Sequence, residues 1–187
     1  MKQDYSKARE KAAKQGQVNA QHNLGFSYDD GRGVEQNDSK AREWYEKAAK
    51  QGHAGAQSNL GVMYANGQGV KRDYSKAREW YEKAVKQGQA QAQYNLGNMY
   101  RKGQGVKQNY PKEVELYKKA AKQGNLKALG ALYETRYGAE QSYSIAMRWY
   151  GRAVAQGDKQ AQEGINRILA KAKASKSKSN GGGGNKK

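Results

Sequence analysis

Residues 56–88 read AQSNLGVMYANGQGVKRDYSKAREWYEKAVKQG, and the stretch returns with small changes 36 residues earlier and 36 residues later. The period is carried by Leu24, Leu60 and Leu96, each of which is followed by glycine. Self-similarity at a period of roughly 20–50 residues is typical of a solenoid, whose units are stable only when stacked. The sequence therefore predicts an array of repeats whose function lies on an extended surface.

Each repeat reads as two helices, called helix A and helix B. Their apolar residues recur at helical spacing, as in Ala56, Leu60, Met63 and Tyr64 of one helix A, and in Ala77, Trp80, Tyr81 and Ala84 of the next helix B. Short polar residues precede each helix B and are predicted to be N-caps: Asn37, Asp73, Asn109 and Ser142. The sequence thus predicts a purely helical fold.

A Gly-x-Gly-Val stretch connects helix A to helix B, as in residues 67–70. A loop that holds phosphate would need a preceding strand and a longer glycine pattern, so we interpret this stretch as the turn of a helix hairpin.

The ends of the array differ from its middle. The chain begins with a shortened helix B and ends its repeats with a lone helix A, in which Ile168 and Leu169 continue the apolar stripe. The fourth repeat is three residues short, with a deletion predicted near Asn125. We expect a solenoid domain over residues 1–170 and a disordered Lys/Ser/Gly tail over residues 171–187.

Composition argues against enzyme chemistry. The chain has no cysteine, so disulfides, thiolate metal sites and cysteine nucleophiles are excluded, and its two histidines occupy non-equivalent positions. We find no paired carboxylates in an apolar setting and no arrangement that meets the geometric roles of a catalytic site. We therefore predict no enzyme activity, no cofactor and no metal.

The formal net charge of +18 is unevenly distributed. Residues 89–124 carry seven basic and two acidic side chains, whereas residues 17–52 carry five and six. This imbalance favours a partner of acidic character. Nucleic-acid binding would follow the same charge, but we expect it to be weak and nonspecific.

No stretch has the apolar length of a signal peptide or a membrane span. We expect a cytoplasmic monomer with no membrane span. An exported protein whose leader has been removed is the alternative location.

The order Ala-Gln-x-Asn-Leu-Gly-x-x-Tyr-x-x-Gly-x-Gly-Val, followed by Lys-Ala-x-x-Trp-Tyr, resembles the Sel-one-like repeat, a relative of the tetratricopeptide repeat. The resemblance covers roughly residues 5–169. It implies a right-handed superhelical solenoid of stacked αα-hairpins, with about four 36-residue repeats and half-repeat caps. It also implies a protein-binding adaptor or scaffold, used in bacteria for signalling, virulence or immunity, with no catalytic residues.

Four positions of helix A vary between repeats and lie opposite the apolar stripe at 100° per residue. In the first helix A the four variable positions are 22, 26, 29 and 30. The resemblance implies that these positions line the concave groove of the solenoid. The candidate partner-binding residues at these positions are His22, Phe26, Asp29, Asp30, Ser58, Val62, Asn66, Tyr94, Asn98, Arg101 and Lys102, and Ala65 occupies the remaining position. Phe26, the chain's single Phe, is the predicted anchor. An ordinary solvated helix face is the alternative.

A repeated asparagine completes the candidate set: Asn23, Asn59 and Asn95. Its side chain could bind the backbone of an extended peptide or a neighbouring helix or loop carbonyl, and we favour the second role. The sequence thus predicts an adaptor that binds a protein or peptide in its groove. The alternative is nonspecific binding of nucleic acid or an anionic surface through the basic C-terminal half and tail.

Overall fold

The structure is a computed structural model that describes residues 10–134 and 143–180, the last seven of these by their backbone alone. All regular secondary structure in these ranges is α-helical, which confirms the predicted fold class. The described part of helix α1 is residues 10–14, and the helix ends at residue 14. The later helices are α2 Val18–Asp30, α3 Asp38–Lys50, α4 Ala54–Asn66, α5 Tyr74–Lys86, α6 Ala90–Lys102, α7 Tyr110–Lys122, α8 Leu126–Glu134, α9 Tyr143–Ala155 and α10 Ala161–Asn180.

The chain forms two compact units, Met1–Glu113 and Val114–Lys187. In the first unit α2 packs on α3 and α4 on α5, which are the predicted A–B hairpins. In the second unit α8 packs on α9, and α10 packs on both. Leu24, Leu60 and Leu96 are buried, so the predicted stripe of helix A is confirmed.

The Leu-Gly pair recurs because the glycine makes room for a tyrosine of the following helix B. A methyl group on Gly25 would lie 2.7 Å from the ring of Tyr45, and one on Gly61 would collide with Tyr81. These tyrosines are buried against the glycine backbone. The contact joins helix A to helix B within a repeat, and no larger residue fits there without moving the ring.

The predicted starts of helix B agree with the structure at the three N-caps that it describes. Each cap side chain accepts a hydrogen bond from the backbone N–H three residues on: Asn37 from Lys40 at 2.9 Å, Asp73 from Lys76 at 3.0 Å and Asn109 from Lys112 at 3.0 Å. Ser142 lies outside the described residues.

The Gly-x-Gly turn uses its two glycines differently. Gly67 caps α4 with a φ of 77°, and Gly69, with a φ of 61°, approaches the backbone of Asp38 so closely that a methyl group would lie 2.6 Å from it. The first glycine therefore ends helix A, and the second brings the turn against the preceding repeat.

The shortened fourth repeat has lost the first turn of its helix A. Gly130 comes four residues after the start of α8 at Leu126, whereas Gly97 comes seven residues after the start of α6 at Ala90. The side chain of Asn125 caps α8 directly. The missing residues therefore lie at the predicted place.

The C-terminal part departs from two expectations. Helix α10 continues to Asn180, so the first ten residues of the predicted tail are helical in the structure, and the domain boundary at residue 170 stays a prediction. Leu169 does not continue the buried stripe, because it is 45% exposed while Ile168 is buried. Among the described helices, none combines the length and apolar character that a bilayer crossing requires.

Candidate partner-binding surface

The structure exposes only part of the predicted groove set. Phe26 is 39% exposed, and the other exposed members are Asn23, Asp30, Asn66 and Lys102. We call these five residues the helix-A face. Seven further predicted residues and Ala65 are half-buried: His22, Asp29, Asn59, Val62, Asn95, Asn98 and Arg101. The expected exposure of Ser58 and Tyr94 is wrong, since they are 1% and 6% exposed.

Ser58 and Tyr94 are buried because their position in helix A faces the next helix A. Both lie three residues before the Leu-Gly glycine, as His22 does. The His22 ring stacks on that of His53 at the start of α4, with 4.3 Å between centroids and 23° between planes. This position therefore fills the space between successive helices A, and its variation reflects different packing solutions.

Lys127 occupies the same position in the fourth repeat and was not predicted from the sequence. It is buried, and its Nζ lies 3.0 Å from a carboxylate oxygen of Asp158 and donates to Gln160 Oε1 at 3.0 Å. Both partners lie just before α10. A lysine in this packing position thus ties α8 to the start of the last helix.

In two of three repeats the repeated asparagine contacts other side chains of the array, and the carbonyl bond that the sequence favoured stays a prediction. Asn59 Nδ2 lies 3.4 Å from His22 Nε2, and Asn95 Oδ1 accepts a hydrogen bond from Gln91 at 3.0 Å. Burial raises the pKa of Tyr45 and Tyr81 above the usual range. Asn23 is exposed.

Two aspartates at the end of α2, Asp29 and Asp30, already have contacts within the chain. Asp29 accepts a hydrogen bond from the Tyr45 hydroxyl at 3.3 Å, and burial raises the pKa of this carboxyl despite that bond. Asp30 pairs with Arg32, whose guanidinium lies 5.0 Å from the centre of the Phe26 ring. Phe26 is therefore an exposed apolar side chain beside a mixed pair of charges.

Arg101 is directed towards the interior of the first unit. Its Nε lies 4.0 Å from Glu113 Oε1, and Glu113 is buried where the earlier repeats have Ala41 and Ala77. An arginine that lies beside a buried carboxylate is a poor contact for a partner, because removing it would leave that charge buried.

A second buried carboxylate, Glu134, holds the last helix in the second unit. It accepts a 2.9 Å bond from the Tyr150 hydroxyl, two bonds from the Arg167 guanidinium at 3.1 and 2.9 Å, and one from Lys171 at 2.9 Å. Burial alone would raise the pKa of Glu134, but Arg167 and Lys171 outweigh it and lower the pKa to about 2. Glu134 is thus an ionised anchor for α10.

The candidate surface is polar, with a single exposed aromatic ring among the described residues of the face. No group of three or more histidine, aspartate and glutamate side chains that could hold a metal ion occurs in residues 10–134 and 143–180. The surface presents one aromatic ring, amides and charges of both signs, which are the groups of a protein interface.

Stacked A–B helix hairpins with a glycine–tyrosine joint in each repeat define a helical-repeat protein of the tetratricopeptide-like class. More closely, the chain belongs to the Sel1 repeat family, whose model matches residues 18–53, 54–89, 90–125 and 127–158. Sel1 repeats mediate protein–protein interactions and form a class of non-catalytic scaffolds. No curated protein shows significant similarity to the chain.

Solved bacterial structures share the fold. The protective antigen c5321 of uropathogenic Escherichia coli is 36% identical, with a TM-score of 0.70 over 90% of this chain and 37% of that one. A Sel1 repeat protein of Oxalobacter formigenes is 36% identical, with a TM-score of 0.63 over 84% of this chain and 64% of that one. Cysteine-rich protein B of Helicobacter pylori is 29% identical, with a TM-score of 0.54 over 67% and 95%. This chain thus spans less than two thirds of the length of the first two.

Proposed function

We propose that the chain is an adaptor or scaffold that binds a partner protein or peptide along the helix-A face of its first unit, in a bacterial signalling, virulence or immunity role. The observation that carries the proposal is Phe26, an exposed aromatic ring on a face whose other members are polar. Aromatic anchors in polar surroundings dominate the energetics of many protein interfaces.

The helix-A face suits a partner that spans several repeats. Phe26 and Asp30 belong to α2, Asn66 to α4 and Lys102 to α6. The face therefore offers an apolar contact and an acid at one end, an amide in the middle and a base at the other end. A partner of complementary charge order would be bound in one direction.

The test is capture of the partner from a native lysate with the double variant Phe26→Ala/Asn66→Ala. A control is Leu169→Ala/Lys50→Ala, which truncates one exposed apolar side chain and one exposed polar side chain that are not members of the face. We expect the control to retain the captured protein and the face variant to lose it, with identical circular dichroism spectra. Equal capture by all forms would contradict the proposal.

The alternative function, nonspecific binding of nucleic acid or an anionic surface, rests on the excess of basic side chains in residues 89–124. Such binding is carried by phosphate contacts, so it should fall by orders of magnitude between about 50 and 200 mM salt. Titration of a random duplex at both salt concentrations checks this. A complex that survives at the higher concentration and prefers one sequence would replace the adaptor proposal.

A further inference from the structure

The A–B connections of the first unit change charge from repeat to repeat. We compare equivalent stretches that run from the end of helix A into the first turn of helix B. Residues 29–40 carry two basic and four acidic side chains, residues 65–76 carry three and one, and residues 101–112 carry four and none. At one loop position the residue changes from Glu35 to Lys71 and Lys107. The fold is the same in all three, so hairpin packing does not require this change.

The second and third connections form one continuous edge, which we call the basic loop edge (residues 65–76 and 101–112). A methyl group on Gly105 would lie 2.7 Å from the carbonyl oxygen of Tyr74, so the two stretches of backbone are in contact. Gln104 also donates to the Tyr74 hydroxyl at 3.0 Å. Cations from two repeats are therefore presented side by side on a surface that is held together by its own contacts.

The cations of this edge are exposed, and some of them lie over aromatic rings. Exposed members are Lys71, Arg72, Lys76, Lys102, Lys107 and Lys112. The ammonium of Lys76 lies 5.5 Å from the ring centre of Tyr64, and that of Lys112 lies 5.3 Å from Tyr100. A ring positions a cation without neutralising its charge. Tyr110, itself 40% exposed, adds an aromatic surface beside these charges.

We propose that the basic loop edge is a docking site for an acidic segment of a partner protein. Neighbouring helices lie roughly 10 Å apart, so two repeats present about 20 Å of basic surface, which matches about six residues of extended peptide. A longer polyanion such as duplex DNA, with one charge per roughly 1.7 Å, would extend onto the connection at residues 29–40 and its four acids. The bounded patch therefore favours a short acidic segment.

This site shares Asn66 and Lys102 with the helix-A face, but its loop cations Lys71 and Lys107 lie outside that face. Lys71 and Lys107 test the edge, whereas Phe26, which lies outside the edge, tests the face, so either proposal can fail without the other. The face variant Phe26→Ala should keep its affinity for an acidic peptide.

The experiment is a fluorescence anisotropy titration with a labelled dodecapeptide, four repeats of Glu-Gly-Ser, and a matched peptide of four Gln-Gly-Ser repeats. We expect Lys71→Glu/Lys107→Glu to weaken binding of the acidic peptide at least tenfold. Glu35→Lys extends the basic edge into the first repeat and should tighten binding severalfold. The charge-matched control Lys50→Glu/Lys86→Glu lies at the opposite ends of α3 and α5, roughly 15 Å away, and should change affinity by less than twofold.

Three outcomes would overturn the proposal. Equal weakening by both double variants would mean that affinity follows net charge and not the loop edge. Equal affinity for the glutamate and glutamine peptides would exclude acidic recognition. A twelve-nucleotide single strand, or vesicles of phosphatidylserine, that bound more tightly than the peptide and lost affinity with Lys71→Glu/Lys107→Glu would assign the edge to nucleic acid or to a membrane surface.

Discussion

Helices α4 and α10 are both of the A type, but only α4 has its own helix B packed on it in the described residues. Counted from the glycine that ends the preceding helix B, Leu60-Gly61 of α4 corresponds to Ile165-Asn166 of α10. Gly61 is buried under Tyr81, whereas Asn166 is exposed. The glycine therefore recurs where a tyrosine must fit above it, and the position is free to vary where none does.

The largest difference should appear at the apolar stripe. Leu60→Ala is expected to cost about 2–5 kcal/mol, because it empties a fully buried site in α4. Leu169→Ala, at an exposed site of α10, should cost less than about 0.5 kcal/mol. Urea unfolding of the two variants measures both values. A small loss for Leu60→Ala would mean that the buried face of helix A is assigned incorrectly.

Helix α10 is bound through the ion pairs of Arg167 and Lys171 with Glu134, whereas α4 packs against the ring of Tyr81. Glu134→Gln removes the charge that binds Arg167 and Lys171, and we expect a loss of about 3 kcal/mol at pH 7. The folded pKa of Glu134 is about 2, below the usual value of about 4.3. Its stabilisation is therefore complete above about pH 4.3 and is lost as the pH falls towards 2.

Thermal melts from pH 7 to 2 test this difference, with Glu115→Gln, which breaks an exposed pair with Lys119, as the control. The wild type should lose more stability than Glu134→Gln over this range. Parallel pH profiles for the two proteins would contradict the role of Glu134.

The side chains that cap the N-termini of α4 and α10 should differ in how much stability they lose in mild acid. His53 Nδ1 accepts the Ala56 N–H at 3.1 Å at the start of α4, and Asp158 accepts the Gln160 N–H at 3.1 Å before α10. Burial lowers the pKa of His53, and burial and the charge of His53 lower that of His22. The neutral imidazoles of His22 and His53 therefore stabilise the folded state fully above about pH 6.5, the usual pKa of histidine. This contribution to stability falls as the pH drops below that value.

We expect a loss of about 1 kcal/mol between pH 7.5 and 5.5, as for the loss of one cap. The variant His53→Asn should reduce this loss, and Asp158→Asn should leave it unchanged. Melting temperatures at both pH values provide the measurement. A loss of the same size in His53→Asn and the wild type would assign it to other groups.

The smallest effect is expected beyond residue 170. A chain that ends after Lys173 keeps the Lys171–Glu134 contact and should match the full chain, whereas one that ends after Ala170 should lose about 0.5–1 kcal/mol. Differential scanning calorimetry of the three lengths checks this. A large loss with the Lys173 end would mean that residues 174–187 stabilise the second unit.

The sequence predicted the packing positions that recur in every repeat. It did not predict contacts that occur once, between residues of different repeats. Leu60 and Gly61 were identifiable because their neighbours recur with the same period. Glu134 and Arg167 are 33 residues apart and occur once, so no pattern indicated their contact. Ser58 and Tyr94 were taken as exposed because their position varies, yet several side chains can fill the gap between helices A. Variation therefore indicates an interface residue only where the side chain is also exposed.

The most direct test of the claim that recurrence reflects packing compares Gly61→Ala with Asn166→Ala in urea unfolding. The first variant should lose about 1–3 kcal/mol, because its methyl group meets the Tyr81 ring and this outweighs the better helix propensity of alanine. The second should match the wild type within about 0.5 kcal/mol. Equal stability of Gly61→Ala and the wild type, or equal losses in the two variants, would contradict the account.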